Sequence, residues 1–170
     1  GITVQDQTLT GNSQGVLVVA TNNSLITRNH IANNGYGIVL FAPYETCIGN
    51  TITENNITES TTDGINSWNS EGTTVTGNRI TDNQEIGINF FDSRDAVITE
   101  NTLFGNKEDN VKIWGNDSNN NTVVDNSYEE DQSDIPEFPS WVPLLVMLVA
   151  VIVVAVVYRR SLSKQMETNP

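Results

Sequence analysis

The sequence is poor in the residues that build most chemical centres. In 170 residues there is one cysteine, Cys47, and one histidine, His30. A lone cysteine excludes an internal disulfide framework and any cysteine-cluster metal site. A lone histidine gives no basis for a Ser-His-Asp set, and no glycine-rich phosphate loop is present. Positive charge is scarce too: 8 Lys and Arg stand against 21 Asp and Glu, for a formal net charge of −13. The imbalance lies in residues 1–140, which hold 20 acidic and 5 basic residues, a net of −15. So acidic a domain repels phosphate backbones, which argues against nucleic acid as a partner. Residues 1–135 also lack any helical periodicity.

What the chain does have is a repeated phrase. VTGNRITDN (Val75–Asn83) has counterparts in ITRNHIANN (Ile26–Asn34), ITENNITES (Ile52–Ser60), ITENTLFGN (Ile98–Asn106) and VVDNSYEED (Val123–Asp131). The phrases align on Asn29, Asn55, Asn78, Asn101 and Asn126, at spacings of 26, 23, 23 and 25 residues. An aliphatic residue lies three positions before each Asn, and a mostly aliphatic one two positions after. Between phrases runs a second element: GVLVV (Gly15–Val19), GIVLF (Gly37–Phe41), GINSW (Gly64–Trp68), GINFF (Gly87–Phe91) and NVKIW (Asn110–Trp114). Its alternation has period two, which indicates strand, and its leading Gly or Asn suits a turn of positive φ. A repeat of this length with short strands and Asn/Gly turns predicts a solenoid. Each repeat forms one rung, equivalent residues stack about 4.8 Å apart, and the five Asn residues form an amide ladder.

The C-terminal part differs in kind. Trp141–Tyr158 is 18 residues without a charge, followed at once by Arg159 and Arg160. That length spans roughly 27 Å as a helix, close to a bilayer's hydrocarbon core, and the arginines predict a cytoplasmic end. The expected organisation is a β-helix domain over 1–131, an acidic and Pro-containing linker over 132–140, a single transmembrane helix over 141–158 and a cytoplasmic tail over 159–170. The domain then faces outside the cell. No charged n-region or apolar h-region opens the chain, so an exported domain of this kind implies sequence ahead of Gly1.

These repeats resemble the right-handed parallel β-helix proteins of the NosD-like, or CASH (carbohydrate-binding and sugar-hydrolase), type found in many archaeal surface proteins. The resemblance implies an all-β, right-handed parallel β-helix of about five to six rungs, here followed by one transmembrane α-helix. IPEFPSW (Ile135–Trp141) resembles the Pro-Glu-Phe type of C-terminal anchoring segment of archaeal exported proteins. Ten residues follow Arg160, which favours a retained anchor over a processed signal.

Several residues are candidates for chemistry. The fifth strand position reads Val19, Phe41, Trp68, Phe91, Trp114, and the third reads Leu17, Val39, Asn66, Asn89, Lys112. By alternation both columns point outward. Phe41, Trp68, Phe91 and Trp114 beside the amides of Asn66 and Asn89 would suit sugar rings, which stack on aromatic faces while amides take their hydroxyls. The competing reading is that the rings pack on one another at a corner. Asp63, Glu85 and Asp109 precede the Gly/Asn column in three consecutive rungs, Glu85 with an offset of one. They are a Ca²⁺ candidate or three turn acids splayed into water. Asp92-Ser93-Arg94-Asp95 reads as a solvated loop rather than an acid pair. His30 and Cys47 alone do not make a copper site. Cys47 falls in the longest loop, Ala42–Asn50, as a small, partly buried residue. Glycan acceptor motifs occur at Asn22, Asn56, Asn116 and Asn120.

The functional expectation is a membrane-anchored, extracellular, non-enzymatic module that binds or packs against surface glycans or proteins. It requires no cofactor, with Ca²⁺ as the one candidate. The alternatives are a polysaccharide lyase or hydrolase, resting on fold analogy, and a stalk for a domain upstream.

Overall fold

The computed structural model of the protein describes residues 1–129. The linker 132–140, the apolar span 141–158 and the tail 159–170 lie outside the described residues. Among the described residues no helix is long and apolar enough to cross a membrane. They form an all-β parallel solenoid of about five turns, in which three sheets run the length of the coil.

The first sheet has six strands: Thr3–Gln5, Leu25–Thr27, Thr51–Thr53, Thr74–Thr76, Val97–Thr99 and Thr122–Val124. The second has five: Thr8–Thr10, His30–Ala32, Asn56–Thr58, Arg79–Thr81 and Thr102–Phe104. The third also has five: Gln14–Val19, Tyr36–Phe41, Ile65–Trp68, Ile88–Phe91 and Val111–Trp114. Pairing is parallel throughout, and the register matches the repeat: Ile52 faces Ile26 and Val75, and Ile80 faces Ile57 and Leu103. The middle residue of each short strand therefore points inward in every rung. Ile26, Ile52, Val75 and Ile98 are fully buried on one side, and Ile31, Ile57, Ile80 and Leu103 on another. Ile38, Ile65, Ile88, Leu40 and Phe90 close the third side. Each large aliphatic so buried contributes about 1.5–3 kcal/mol of transfer free energy.

Polar ladders occupy the corners between sheets. Asn29 Nδ2 donates to Asn55 Oδ1 at 2.9 Å, Asn55 to Asn78 at 2.9 Å, Asn78 to Asn101 at 3.0 Å and Asn101 to Asn126 at 2.9 Å. The same Oδ1 atoms accept the backbone N–H of the preceding rung's Asn. Each Nδ2 also donates to a carbonyl of the preceding rung, as Asn78 does to Ile52 O at 2.9 Å. A second ladder, Asn12–Asn34 and Ser60–Asn83–Asn106, follows the second sheet. Ser60 interrupts it, and its buried hydroxyl has no partner. A third ladder, which sequence reading missed, is interrupted: Ser24 N–H donates to Asn50 and Ala96 N–H to Asn121, while Thr73 between them leaves its buried hydroxyl without a partner. Its residue types vary too much to show as a column.

Two features depart from the sequence-based expectation. Gly15, Gly37, Gly64 and Gly87 do not adopt positive φ. They are required for space: a Cβ on Gly37 would lie 2.3 Å from Gly64 O and 2.5 Å from Ile57 Cγ2. Positive φ falls instead one residue before the ladder Asn, at Asp6, Arg28, Glu54, Gly77, Glu100 and Asp125. Cys47 is not in a loose loop. It is fully buried on the short strand Cys47–Ile48, which pairs with Ser70–Glu71.

The outward positions of the first sheet are also distinctive. Thr3, Thr27, Thr51, Thr53, Thr74, Thr76, Thr99 and Thr122 share them with Gln5, Leu25, Val97 and Val124, so the face carries no charge.

Asn78→Ala strips donors and acceptors from a buried column, and we expect a loss of about 3 kcal/mol in urea unfolding. Ser60→Asn restores the interrupted ladder and raises stability by about 1 kcal/mol; an unchanged midpoint contradicts that reading of Ser60. At the first rung, the Arg28 guanidinium donates to the Asp6 carboxyl and holds it below its ordinary range. A carboxyl depressed in the folded state stabilises above its unfolded pKa and loses this as pH falls through its folded value. Protection of the Asp6 amide, whose N–H donates to Thr27 O, measured against its intrinsic exchange rate, should therefore fall below pH 3.8, and Asp6→Asn should abolish that pH dependence.

Candidate functional site

The third sheet presents its third and fifth positions outward, because its second and fourth are core. Phe41, Trp68, Phe91 and Trp114 are held side by side by the register of four consecutive strands. Ring centroids are 5.1 Å apart for Phe41–Trp68, 6.0 Å for Trp68–Phe91 and 4.5 Å for Phe91–Trp114. Interplanar angles are 60°, 68° and 56°, so neighbouring rings meet at a tilt, the arrangement their quadrupoles favour. The rings thus pack on one another and stay accessible on the outward face. Trp68 is 43% and Trp114 49% exposed.

The amides beside the rings are not free, as the sequence suggested, but organised by Asp63. Asp63 is 2% exposed. Its Oδ2 accepts Asn66 Nδ2 at 2.7 Å and Asn89 Nδ2 at 2.9 Å, and its Oδ1 accepts Ile86 N–H at 3.1 Å. Trp114 Nε1 donates to Asn89 Oδ1 at 2.9 Å. A carboxylate only accepts and an indole N–H only donates, so Asn89 has one possible orientation. Lys112 completes the strip, its Nζ 5.8 Å from the Trp114 ring centroid. The other described cations point elsewhere: Arg28 pairs with Asp6, Arg94 with Glu71, Arg79 lies over Phe104 and Lys107 donates to Gln84.

The proposed acid triad is not brought together. The residue stacked next to Asp63 is Ile86, so the one-residue offset of Glu85 places it outside the column. Glu85 and Asp109 are exposed. Among the described residues there is no group of three His, Cys, Asp or Glu side chains able to hold a metal ion. Asp92 and Asp95 lie at loop positions of positive φ, and Arg94 pairs with Glu71 of the neighbouring rung.

Of the glycan acceptors, Asn22, Asn116 and Asn120 are exposed and lie outside the strands. Asn22 Oδ1 accepts Ile48 N–H at 2.8 Å. Asn56 instead sits half-buried within the second sheet, its Nδ2 3.4 Å from His30 Nδ1. One exposed ring was missed by sequence reading: Tyr44, 96% exposed and three residues after Phe41. It lies outside the repeat, which is why no column reveals it.

A parallel β-solenoid with an aromatic strip on one outward sheet is the class of protein defined here. A family model described as "Periplasmic copper-binding protein (NosD)" matches residues 1–135, and the chain belongs to that family. No curated protein sequence matches it. Among solved structures, the periplasmic alginate epimerase AlgG is similar at a TM-score of 0.63 and 20% identity, over 75% of this chain and 39% of that one. DFA-IIIase from Arthrobacter chlorophenolicus A6, in complex with GF2, is similar at 0.57 and 19% identity, over 67% of this chain and 25% of that one. The same enzyme without its lid gives 0.54 and 18% identity, over 70% and 29%. The chain thus spans well under half the length of these structures, and the likeness is one of fold.

The copper of the family description finds no matching donor set among the described residues. His30 is exposed on the second sheet and Cys47 is buried on a different strand. Copper sites of the usual kinds need several imidazole or sulfur ligands converging.

Asp63→Ala leaves the Ile86 N–H and two side-chain amides without their acceptor. We expect a loss of about 3 kcal/mol in unfolding free energy, equal with and without millimolar Ca²⁺. A loss that appears only with Ca²⁺ present would restore a cation at this position.

Proposed function

We propose that this protein is an exported surface module that binds glycan along the Phe41–Trp114 strip without turning it over. The observation that carries this reading is the unbroken row of four aromatic rings on an outward sheet, two of them tryptophans nearly half exposed. A burial-rich soluble domain gains nothing by leaving such rings in water, and aromatic faces flanked by fixed amides suit the alternating apolar faces and hydroxyls of sugars. The similar structures include an alginate epimerase and a DFA-IIIase, which supports a carbohydrate ligand by analogy of fold. Binding rather than turnover is favoured because the acid on this face, Asp63, is buried and already accepts three N–H groups. The proposed binding needs no metal ion.

The coil is read as right-handed, the hand that parallel crossover connections take. The uncharged run Trp141–Tyr158 and the following Arg159 and Arg160 support a single-pass anchor with the solenoid outside and residues 159–170 in the cytoplasm. The segment IPEFPSW supports an archaeal surface setting. Asn22, Asn116 and Asn120 are the positions best placed to carry glycans of the protein's own.

A glycan array probed with the full chain tests the reading. Trp68→Ala and Trp114→Ala should each weaken the positive signals about tenfold, or 1.4 kcal/mol, with the far-UV spectrum unchanged. Signals that survive both substitutions place the ligand elsewhere, and a blank array removes the glycan reading altogether.

A further inference from the structure

Asp63 does more than hold its neighbours. Its Oδ2 bonds directly to both Asn66 and Asn89, which lie on adjacent rungs in the middle of the strip. Any ligand atom hydrogen-bonded to those amides is therefore only two hydrogen bonds away from a buried negative charge. Buried charge is screened weakly by salt and acts at this range through a medium of low dielectric. Lys112 is the cation of this face; it lies on the last rung, next to Asn89 in register and one rung further from Asn66, with its Nζ 5.8 Å from the Trp114 ring centroid. The remaining described cations are engaged on other faces. Around Asn66 the charged side chain in hydrogen-bond contact is Asp63, and the domain around it is acidic.

Resting on the glycan reading above, we propose that the strip selects uncharged, hydroxyl-rich glycan and rejects uronates, and that Asp63 sets this selectivity. It acts as a positioning residue. It turns one N–H of each amide inward, so that the outward Oδ1 of Asn66 accepts from a sugar hydroxyl. A carboxylate at C6 of the same sugar has no donor to offer and meets the charge beneath. Asn89 is fixed from both ends by Asp63 and by the Trp114 indole, so ring and amide are presented as one rigid unit. Preorganisation of this kind favours hydroxyl recognition, because the side chains lose little freedom on binding.

The test uses the full chain in detergent and three pairs of linear hexasaccharides: mannose, galactose and glucose oligomers, each against its C6-carboxylate counterpart. Tryptophan fluorescence gives the affinities. At least one neutral member should bind ten times more tightly than its uronate partner. Asp63→Asn, which keeps the shape and removes the charge, should narrow that ratio at least threefold; Asn66→Ala should weaken the neutral ligand with little effect on the uronate. If Asp63→Asn does not fold, Asn66→Ala carries the test: with the amide that links the ligand to Asp63 removed, the ratio should narrow at least threefold. Uronates binding as tightly as neutral sugars overturn the selectivity and leave the strip as a glycan site. A ratio that Asp63→Asn leaves intact, or, where that variant does not fold, that Asn66→Ala leaves intact, also overturns the role of Asp63. Failure of all six oligomers to bind overturns the glycan reading itself.

Discussion

The amide of Asn78 accepts an N–H and an Nδ2 donor from Asn55, and donates to Asn101 Oδ1 and to the carbonyl of Ile52. One side chain thus satisfies backbone groups of the rung below while locking to the rung above. Buried turns without such partners would leave polar groups unpaired, at a cost that a domain of this size could not carry at every corner. The column needs one Asn per turn at a fixed place, and this requirement sets the register of everything else. Aliphatic residues three before and two after the Asn fall inward in each rung because the Asn does. Extra residues are accommodated only away from it, as at Ala42–Thr46 between the third sheet and the short strand Cys47–Ile48.

Much of this was legible in the sequence, because stacking repeats the same residue type at the same phase. Val75, Asn78 and Ile80 have counterparts in the neighbouring turns, and a column is visible without coordinates. Features made by different residue types in each rung were not. Positive φ falls on Asp6, Arg28, Glu54, Gly77, Glu100 and Asp125, a set with no common chemistry, whereas the glycines that looked suited to it stand where a Cβ would strike the next rung. The third ladder mixes Ser24, Asn50, Ala96 and Asn121 for the same reason. At the strip, the aromatic column was visible, but the role of Asp63 was not. Its link to Asn66 is local, while its links to Asn89 and Ile86 cross between rungs, and only the register places Ile86 rather than Glu85 beside it.

The strip inherits its rigidity from the coil. Phe41, Trp68 and Phe91 grow from strands paired on both sides, with fully buried inward neighbours Leu40, Ser67 and Phe90, and Trp114 grows from the edge strand Val111–Trp114 paired to Ile88–Phe91. Rings tilted by about 60° to one another present both edges and faces, a surface that suits a ligand with both C–H and O–H groups. The fold supports the site by fixing spacing; the chemistry comes from residues the repeat leaves free to vary. That division explains how one family can share a coil with enzymes and with chains that have another task.

The hydrogen bonds of the ladders join residues 22 to 29 positions apart, and none of the ladder contacts described here extends beyond adjacent turns. A whole repeat inserted between Asn55 and Asn78 meets the same partners on both sides as the repeats already there. Length is thus a separable property of this molecule. Gene duplication or deletion in units of about 23 residues, the period of a solenoid rung, lengthens or shortens the row of rings by one step without disturbing the rest, so the reach of the strip is open to inheritance as a simple count.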